Sequence, residues 1–485
     1  MIPDPSAPLI AGAAAIQQRL DDPVAADDAL TLMRRALEAA AADAGSRALL
    51  DAATVLMLPQ GTWSGPDPAV VVTPWNPGIR TIVADIGVLQ QTLVSRACAL
   101  VASGRAEVVL VCGGEAKHRA LRSMITGVAA SDPEASAVPG HDVERLTPAH
   151  EIITQEEIHR GLPVPARQYA LIDTALRARD GLDPVQHAAA LAALQARFSA
   201  IAAANPDAWN REGSSAEAIA AAPMLAWPYT KLHCSQWNVD QAAGLIICSA
   251  AAAERHGVAS DRWVFAHLGV ESNLMVPVTL RAEIHRSPAV AVVGQAVHDH
   301  VGVAPADIEL LDLYSCFPAA VRVQVAELGI DPDRELTLTG GMTFGGGPLN
   351  NYTLQAIVRM AHLARAEPGS RAMVTNVSGM LTKFGASVWS CSPPARPFAA
   401  LDVTDAATAA TPTVGLDPEF AGTAEVVTYT IAFDKVTPIQ GIVVGDTASG
   451  TRVLATTTDP DTIADMTATD WYARQVTVSG PTLDG

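Results

Sequence analysis

Lysine is nearly absent: there are four in 485 residues, at positions 117, 231, 383 and 435. With 51 acidic against 32 basic side chains the formal charge is −19. That excludes a generic binder of phosphate backbones, which would carry a basic face, so no nucleic-acid partner is expected. Cysteine is sparse too. The six, at 98, 112, 234, 248, 316 and 391, form no C-x-x-C pair, which argues against both a disulfide framework and a zinc knuckle. No metal is expected. No uncharged apolar run reaches the roughly 20 residues that a membrane-spanning helix needs. Met1-Ile2-Pro3-Asp4-Pro5 lacks the basic and apolar regions of a secretion signal. A reduced, cytoplasmic setting without a membrane partner is the expectation. What is abundant is apolar surface: 49% of residues, too many for a disordered chain and enough for large cores. At roughly 150 residues per domain the length predicts about three domains.

Helix and strand patterns alternate over the first hundred residues. Asp27 and Asp28 open a segment with Leu30, Met33 and Leu37 on one face, and Gly45 closes it. Carboxylates suit the orphan amides at a helix start, and glycine suits the position just past its end. Thr54 to Leu58 and Ile82 to Ile86 read as strands, Val88 to Ser103 as an apolar helix ending at Gly104, and Glu107 to Cys112 as the next strand. Continuously apolar strands between helices imply a sheet covered on both faces, hence an α/β fold. The pattern returns about 260 residues later. Ser287-Pro288 is an N-cap followed by proline at the first helical position, with Val290, Val293, Val297 and Val301 on one face. Ile308 to Tyr314 is the following strand, Asn350 to Ala366 a helix, and Ala372 to Asn376 a strand. Matching order and spacing of four elements point to an internal duplication. Residues 117–232 are rich in helix signals, with Tyr169 to Ala204 the longest piece, as suits an insertion that shapes a ligand site. Strand patterns in 426–433, 441–444, 452–456 and 471–479 make 400–485 a small all-β domain.

Short catalytic motifs are missing. Gly61-Thr-Trp-Ser-Gly65 has its serine one place late for a nucleophile elbow. Gly345-Gly346-Gly347 lacks the lysine and hydroxyl of a P-loop. His298-Asp299-His300 places its imidazoles at i and i+2, which do not face each other on a helix, so a solvated helix end is the reading.

Several longer phrases are informative together: GRAEVVLVCGGEA (104–116), VDQAAGLIICSAAAAERHGV (239–258), DIELLDLYSCFPAAV (307–321) and GGMTFGGGPLNNYTLQAI (340–357). With the duplicated halves and the insertion, residues 1–398 resemble the thiolase superfamily. YSCFPAAV, GGPLNNY and LTKFGASVWS are most similar to the actinobacterial thiolase-like proteins type 1. The resemblance implies a five-layer α-β-α-β-α fold. Its N-terminal half would be 1–116 completed by 233–260, its loop domain 117–232, its C-terminal half 261–399, and 400–485 an added OB-like barrel.

The same resemblance assigns the chemistry. Thiolases hold a nucleophilic cysteine at a helix N-terminus, where amides and dipole favour the thiolate; the matching position is Gly87. The base in Gly-His-Pro matches Gly347 of Gly346-Gly347-Pro348, and the second cysteine matches Asn376. The oxyanion-hole motif is Tyr314-Ser315-Cys316-Phe317, of which only the Cys-Phe end follows the family. Losing one member of a nucleophile–base unit costs several powers of ten in rate, so conventional thiolysis or condensation is not expected.

The remaining candidates are Tyr314, Ser315 and Cys316 for catalysis, and Lys231, Asn350 and Asn351 for holding CoA or an acyl group. Each has a plainer reading. Cys316 is favoured as packing, Tyr314 and Ser315 equally as satisfied turn groups, Asn350 as an N-cap and Lys231 as surface. Lys383 is followed by Phe384 where close relatives would carry histidine, which weakens it as a catalyst. Three functions stay open. The first is a thiolase-fold binder of CoA thioesters that needs no cofactor; the others are an acyltransferase or carbon–carbon lyase using Tyr314, and a non-catalytic subunit with a protein partner on its C-terminal domain. Monomer and homodimer are both compatible.

Overall fold

In the computed structural model, residues 3–133, 135–141 and 143–484 are described. The main sheet has eleven strands. Those of the first half are β1 (Pro8–Gln18), β2 (Val55–Pro59), β3 (Arg80–Ala84), β4 (Val108–Ala116) and, from the insertion, β5 (Val143–Leu146). The insertion also supplies β6 (Met224–Ala226) and β7 (Tyr229–Thr230), after which β8 (Asp240–Ser249) returns to the sheet. The second half contributes β9 (Val264–Ser272), β10 (Leu310–Asp312), β11 (Arg371–Ser378), β12 (Lys383–Ser390) and β13 (Ala399–Asp402). The duplication is visible in the pairing. β2–β4 is parallel, β4–β8 and β8–β1 antiparallel; β10–β11 is parallel, β11–β12 and β12–β9 antiparallel. The two runs meet where Leu9 and Ile10 pair with Phe265 and Val264.

Two helices, Gln90–Ala102 and Tyr352–Ala366, lie between the halves and pack on strands of both. The first buries residues on all sides, from Gln90 to Val101, as a helix enclosed between the two halves of the sheet must. Outside, Ala29–Ala44 covers β1, β4 and β8, while Pro288–Val301 covers β9 and β12. Five layers result. Asp28 caps the first outer helix by accepting from the Leu30 and Thr31 amides, and Gly45 ends it at φ 68°, as the local signals predict. The helix lies close because β8 carries glycine there: a Cβ on Gly244 would stand 2.7 Å from the Ala36 carbonyl carbon.

Elsewhere tertiary contacts override the local pattern. The expected strand 308–314 shortens to Leu310–Asp312, because the Leu313 amide turns to Leu336 O (3.0 Å) and the Tyr314 amide to Thr375 Oγ1 (2.7 Å). The expected helix 169–204 is two, Pro165–Arg179 and Pro184–Ala204, parted by Gly181 at φ 66° and restarted by an Asp183 capping box. Ser287 makes no side-chain cap; Glu327 instead accepts its amide at 3.1 Å.

The C-terminal strands β14 (Ala421–Asp434), β15 (Thr437–Thr447), β16 (Arg452–Thr457), β17 (Gln475–Ser479) and β18 (Thr482–Leu483) close on themselves, since β15 pairs with both β14 and β16. Closure removes exposed edges. A nine-residue helix, Pro460–Ala468, interrupts the otherwise all-β order and buries Ile463 and Met466 in the barrel core. The barrel is sewn to the body. β6 pairs with β14, Arg177 grips Asp470 through both carboxylate oxygens (2.7 and 2.5 Å), and buried Arg452 reaches Arg281 O at 3.1 Å.

Candidate functional site

A cavity of about 560 Å³ opens where the central helices begin. It is lined by Gly87, Gly347 and Asn376, the three positions the resemblance assigns to nucleophile, base and second cysteine. Tyr314, Cys316 and Asn350 also line it, so four sequence segments far apart in the chain converge there. Among the described residues its wall contains no Asp, Glu, His, Lys or Arg. Its mouth is apolar: Ile86, Val164, Leu225 and Trp237 are all exposed large hydrophobic side chains of its lining.

The two helix starts at its floor are already capped. Asn376 Oδ1 accepts from the Gln91 amide (3.2 Å) and Asn376 Nδ2 donates to Thr353 Oγ1 (2.8 Å). Gln90 Oε1 accepts from the Thr353 amide (2.7 Å). One amide at each helix start, Gln91 and Thr353, is therefore spent on a fixed side chain. Gly87 sits at φ 102°, and Lys383 Nζ holds its carbonyl at 2.7 Å. Lys383 is buried, and burial lowers its ammonium pKa against the pull of Glu271. At Gly347 a Cβ would overlap Ser235 Oγ.

The thiols in the wall are quiescent. Burial pushes Cys316 up to about 12 despite a bond from the Tyr169 hydroxyl, and burial with the neighbouring Cys316 pushes Cys234 to about 12. Burial, and next Cys316, likewise raise Tyr314 above the ordinary phenol range, so it stays protonated and keeps its O–H to donate.

The remaining candidates lie elsewhere. Ser315 is buried and accepts from the Met342 amide (3.1 Å), a satisfied turn group outside the cavity wall. Asn351, not Asn350, occupies the N-cap position, without a side-chain cap, and its amide is buried beneath the wall. Asn350 instead donates to Gln60 O at 3.3 Å. Lys231 is exposed and outside the lining. Of six proposed site residues, Tyr314, Cys316 and Asn350 share the cavity.

Residues 403–480 match the model of the thiolase-like protein type 1 additional C-terminal domain. The whole chain superposes on a monomeric SCP2-thiolase like protein type 1 from Mycobacterium smegmatis, with TM-score 0.81, 26% identity and 98% of each chain covered. The chain has the thiolase fold. The thiolase fold also relates it to the Ltp2-ChsH2(DUF35) aldolase (TM-score 0.60, 20% identity, 80% of this chain and 98% of that one). Human mitochondrial 3-ketoacyl-CoA thiolase in complex with CoA gives 0.56 at 16% identity over 79% and 97%. A curated relative, the acetyl-CoA acetyltransferase of Methanothermobacter thermautotrophicus, is 24% identical over 198 residues, or 37% of this chain. The chain spans about half the length of that relative, 51%.

Sequence reasoning missed the share of this cavity that comes from the insertion, Tyr169, and from the segment just after it, Cys234, Ser235 and Trp237. The signal available was the run Trp227-Pro-Tyr-Thr-Lys-Leu-His-Cys-Ser-Gln-Trp237, dense in aromatic and thiol groups within an alanine-rich stretch. Tyr169 stacks on Phe317 at 4.5 Å between ring centroids, which joins the insertion to the altered oxyanion motif.

Proposed function

We propose that this chain binds an acyl ligand, delivered as a thioester of CoA or of its pantetheine arm, and carries out neither thiolysis nor Claisen condensation. The observation that supports this most is the convergence of Gly87, Gly347 and Asn376 on one large apolar cavity whose wall holds no ionised group. An acyl chain and the uncharged pantetheine arm match that lining. The nucleotide phosphates of CoA do not, and would lie beyond the mouth. There Trp237 carries the Lys117 ammonium over its ring at 4.0 Å. Lys231, exposed nearby in sequence, has no part in the cavity wall.

A lyase reading draws on Tyr314, whose side chain lines the cavity, and on the fold shared with an aldolase. Cleaving a β-hydroxyacyl thioester requires a base to take the hydroxyl proton. Among the described residues no carboxylate or imidazole lines the cavity, and both thiols there are raised to about 12, so binding without turnover is the better-supported reading.

The test is calorimetry with decanoyl-CoA and with decanoyl-pantetheine, which share the acyl chain and thioester. Saturable binding of both within about tenfold (roughly 1.4 kcal/mol) is expected, with no thiolysis of acetoacetyl-CoA. Steady thiolysis would overturn the non-catalytic reading. Absence of binding by either thioester would overturn the ligand reading and favour a subunit acting through its C-terminal barrel.

A further inference from the structure

A second cavity, polar and unrelated to the first, lies at the other end of the same strands. Arg371 opens β11 and pairs in register with Ser390, which closes β12. The apolar cavity meets β11 from Asn376 onward, five residues and roughly 17 Å away at 3.3 Å per residue. His267 arrives as the extra residue of a β-bulge on β9, where the register passes from Leu268–Val388 to Ala266–Trp389. Bulges re-aim side chains, and this one brings His267 Nε2 to 2.8 Å from Ser390 Oγ. The last turn of helix Pro288–Val301 contributes His300, and the segment after β12 contributes Ser392 and Arg396.

The enclosed space is about 170 Å³. A single water needs roughly 10–15 Å³ on the same measure, so a polyatomic ion has room. Among the described residues the wall holds two arginines, two histidines and no carboxylate, in a chain of net charge −19. Elsewhere some arginines meet a carboxylate, as Arg177 meets Asp470 and Arg322 meets Asp180, while buried Arg281 is held by backbone carbonyls and Arg359 Nε is buried without a partner. Here Arg396 gives one N–H to Asp299 O at 2.7 Å, which the helix's terminal carbonyls explain. That explanation does not extend to Arg371. Its guanidinium has no hydrogen-bond or ion-pair partner among the described residues, while its backbone amide donates to Glu309 (2.9 Å). His300 Nε2 is buried without a partner. His267 is held down to about 4, by burial first, against a hydrogen bond with the Ser392 backbone and with smaller contributions from its neighbours Arg371 and His300.

We infer that this cavity is a binding site for a tetrahedral phosphate dianion, free or as a phosphate monoester. Arg371 and Arg396 both line it, and a guanidinium is a forked donor that matches phosphate oxygens. His300, in its Nε2–H tautomer, donates to a third oxygen, and the Ser392 hydroxyl stands at the rim. The dianion supplies the missing counter-charge for the two guanidiniums. The His298-Asp299-His300 run thus divides: His298 is exposed to solvent, while His300 turns its Nε2 inward.

Titration of the full chain with inorganic phosphate and with phenyl phosphate, at low and constant ionic strength, tests this. Saturable binding is expected, weakened about ten- to a hundredfold in Arg371→Gln, as for loss of a charge-assisted hydrogen bond. Arg396→Gln should act in the same direction, and phosphate should raise the melting temperature of the parent more than that of either variant. Tighter binding of phenyl phosphate would identify an ester as the ligand, and tighter binding of inorganic phosphate a free ion. No saturable binding of either, or parent-like affinity in the Arg371→Gln/Arg396→Gln double variant with its melting transition intact, would overturn the site.

Discussion

Asn376 stands where the resemblance expects a cysteine, and replacing it with that cysteine should damage the protein rather than equip it. In Asn376→Cys the Gln91 amide loses its acceptor at 3.2 Å and Thr353 Oγ1 its donor at 2.8 Å, both in fully enclosed surroundings. A buried amide left unsatisfied costs about 1–3 kcal/mol, and an ordinary lost hydrogen bond about 0.5–1.5 kcal/mol. Together the loss is about 2–4 kcal/mol. The shift is about 2–4 °C per kcal/mol for 150–250 residues and smaller for a unit the size of the α/β body, which should melt several degrees lower. Thermal unfolding followed by circular dichroism measures this. Adding Thr353→Val removes one orphaned group in advance, so the double variant should lose less than the sum, by about 1 kcal/mol. A melting temperature within about a degree of the parent would refute the assignment of Asn376 to capping the central helices.

Installing both thiolase groups, as Gly87→Cys with Gly347→His, should yield no thiolysis of acetoacetyl-CoA and a less stable protein. Gly87 sits at φ 102°, a conformation costing a side chain about 1–3 kcal/mol, and Ser235 blocks the new imidazole. Measurable turnover by that variant would contradict the account of the cavity. Arg177→Ala should free the C-terminal barrel at a cost of about 1–3 kcal/mol, limited because Asp470 is partly exposed, and limited proteolysis should then cut between body and barrel. The acid limb of stability should depend on Asp173. Burial raises its carboxyl, but Arg322, His187 and Tyr229 outweigh burial and hold it at about 2, against 3.8 when unfolded. A depressed folded pKa stabilises above the unfolded value, so this contribution is complete above about pH 4 and lost as pH falls towards about 2. Asp173→Asn should flatten urea-denaturation midpoints over that window, and an unchanged slope would count against it.

What was legible in the chain depended on how local its cause was. The helix between Asp28 and Gly45 follows from its own caps, and the duplication from the order of apolar segments, so both could be read directly. The length of β10 could not, because beyond Asp312 the Leu313 and Tyr314 amides turn to distant Leu336 and Thr375, while the Asp312 carboxylate accepts from the Leu338 and Thr339 amides (2.8 and 3.0 Å). The break between the two insertion helices did have a local signal, Gly181 followed by Asp183-Pro184, which the apolar run on either side masked. At the site, position was readable and orientation was not. Tyr314, Ser315 and Cys316 are consecutive, yet the middle one turns away into the Met342 turn while its neighbours face the cavity. Lys383 looked weak because Phe384 follows it, yet it is the side chain that fixes the Gly87 carbonyl.

The substitutions at this pocket are coupled, and that argues for a changed use rather than a damaged thiolase. If catalysis had been lost by isolated mutation, the vacated positions would leave space or unpaired groups. Instead the neighbours have closed in on each one. Ser235 fills the place of a side chain at Gly347, and Lys383 pins the loop at Gly87. Asn376 and Gln90 cross-cap the two helices whose free amides a thiolate would have required. Each change makes the others harder to reverse, since restoring one catalytic group now breaks a packing or hydrogen-bonding contact. Yet the same remodelling leaves about 560 Å³ open and rims it with exposed apolar side chains. Keeping such a mouth in water is unfavourable unless something occupies it. A wall made chemically silent around a cavity kept large and apolar is what holding an acyl group without reacting with it requires.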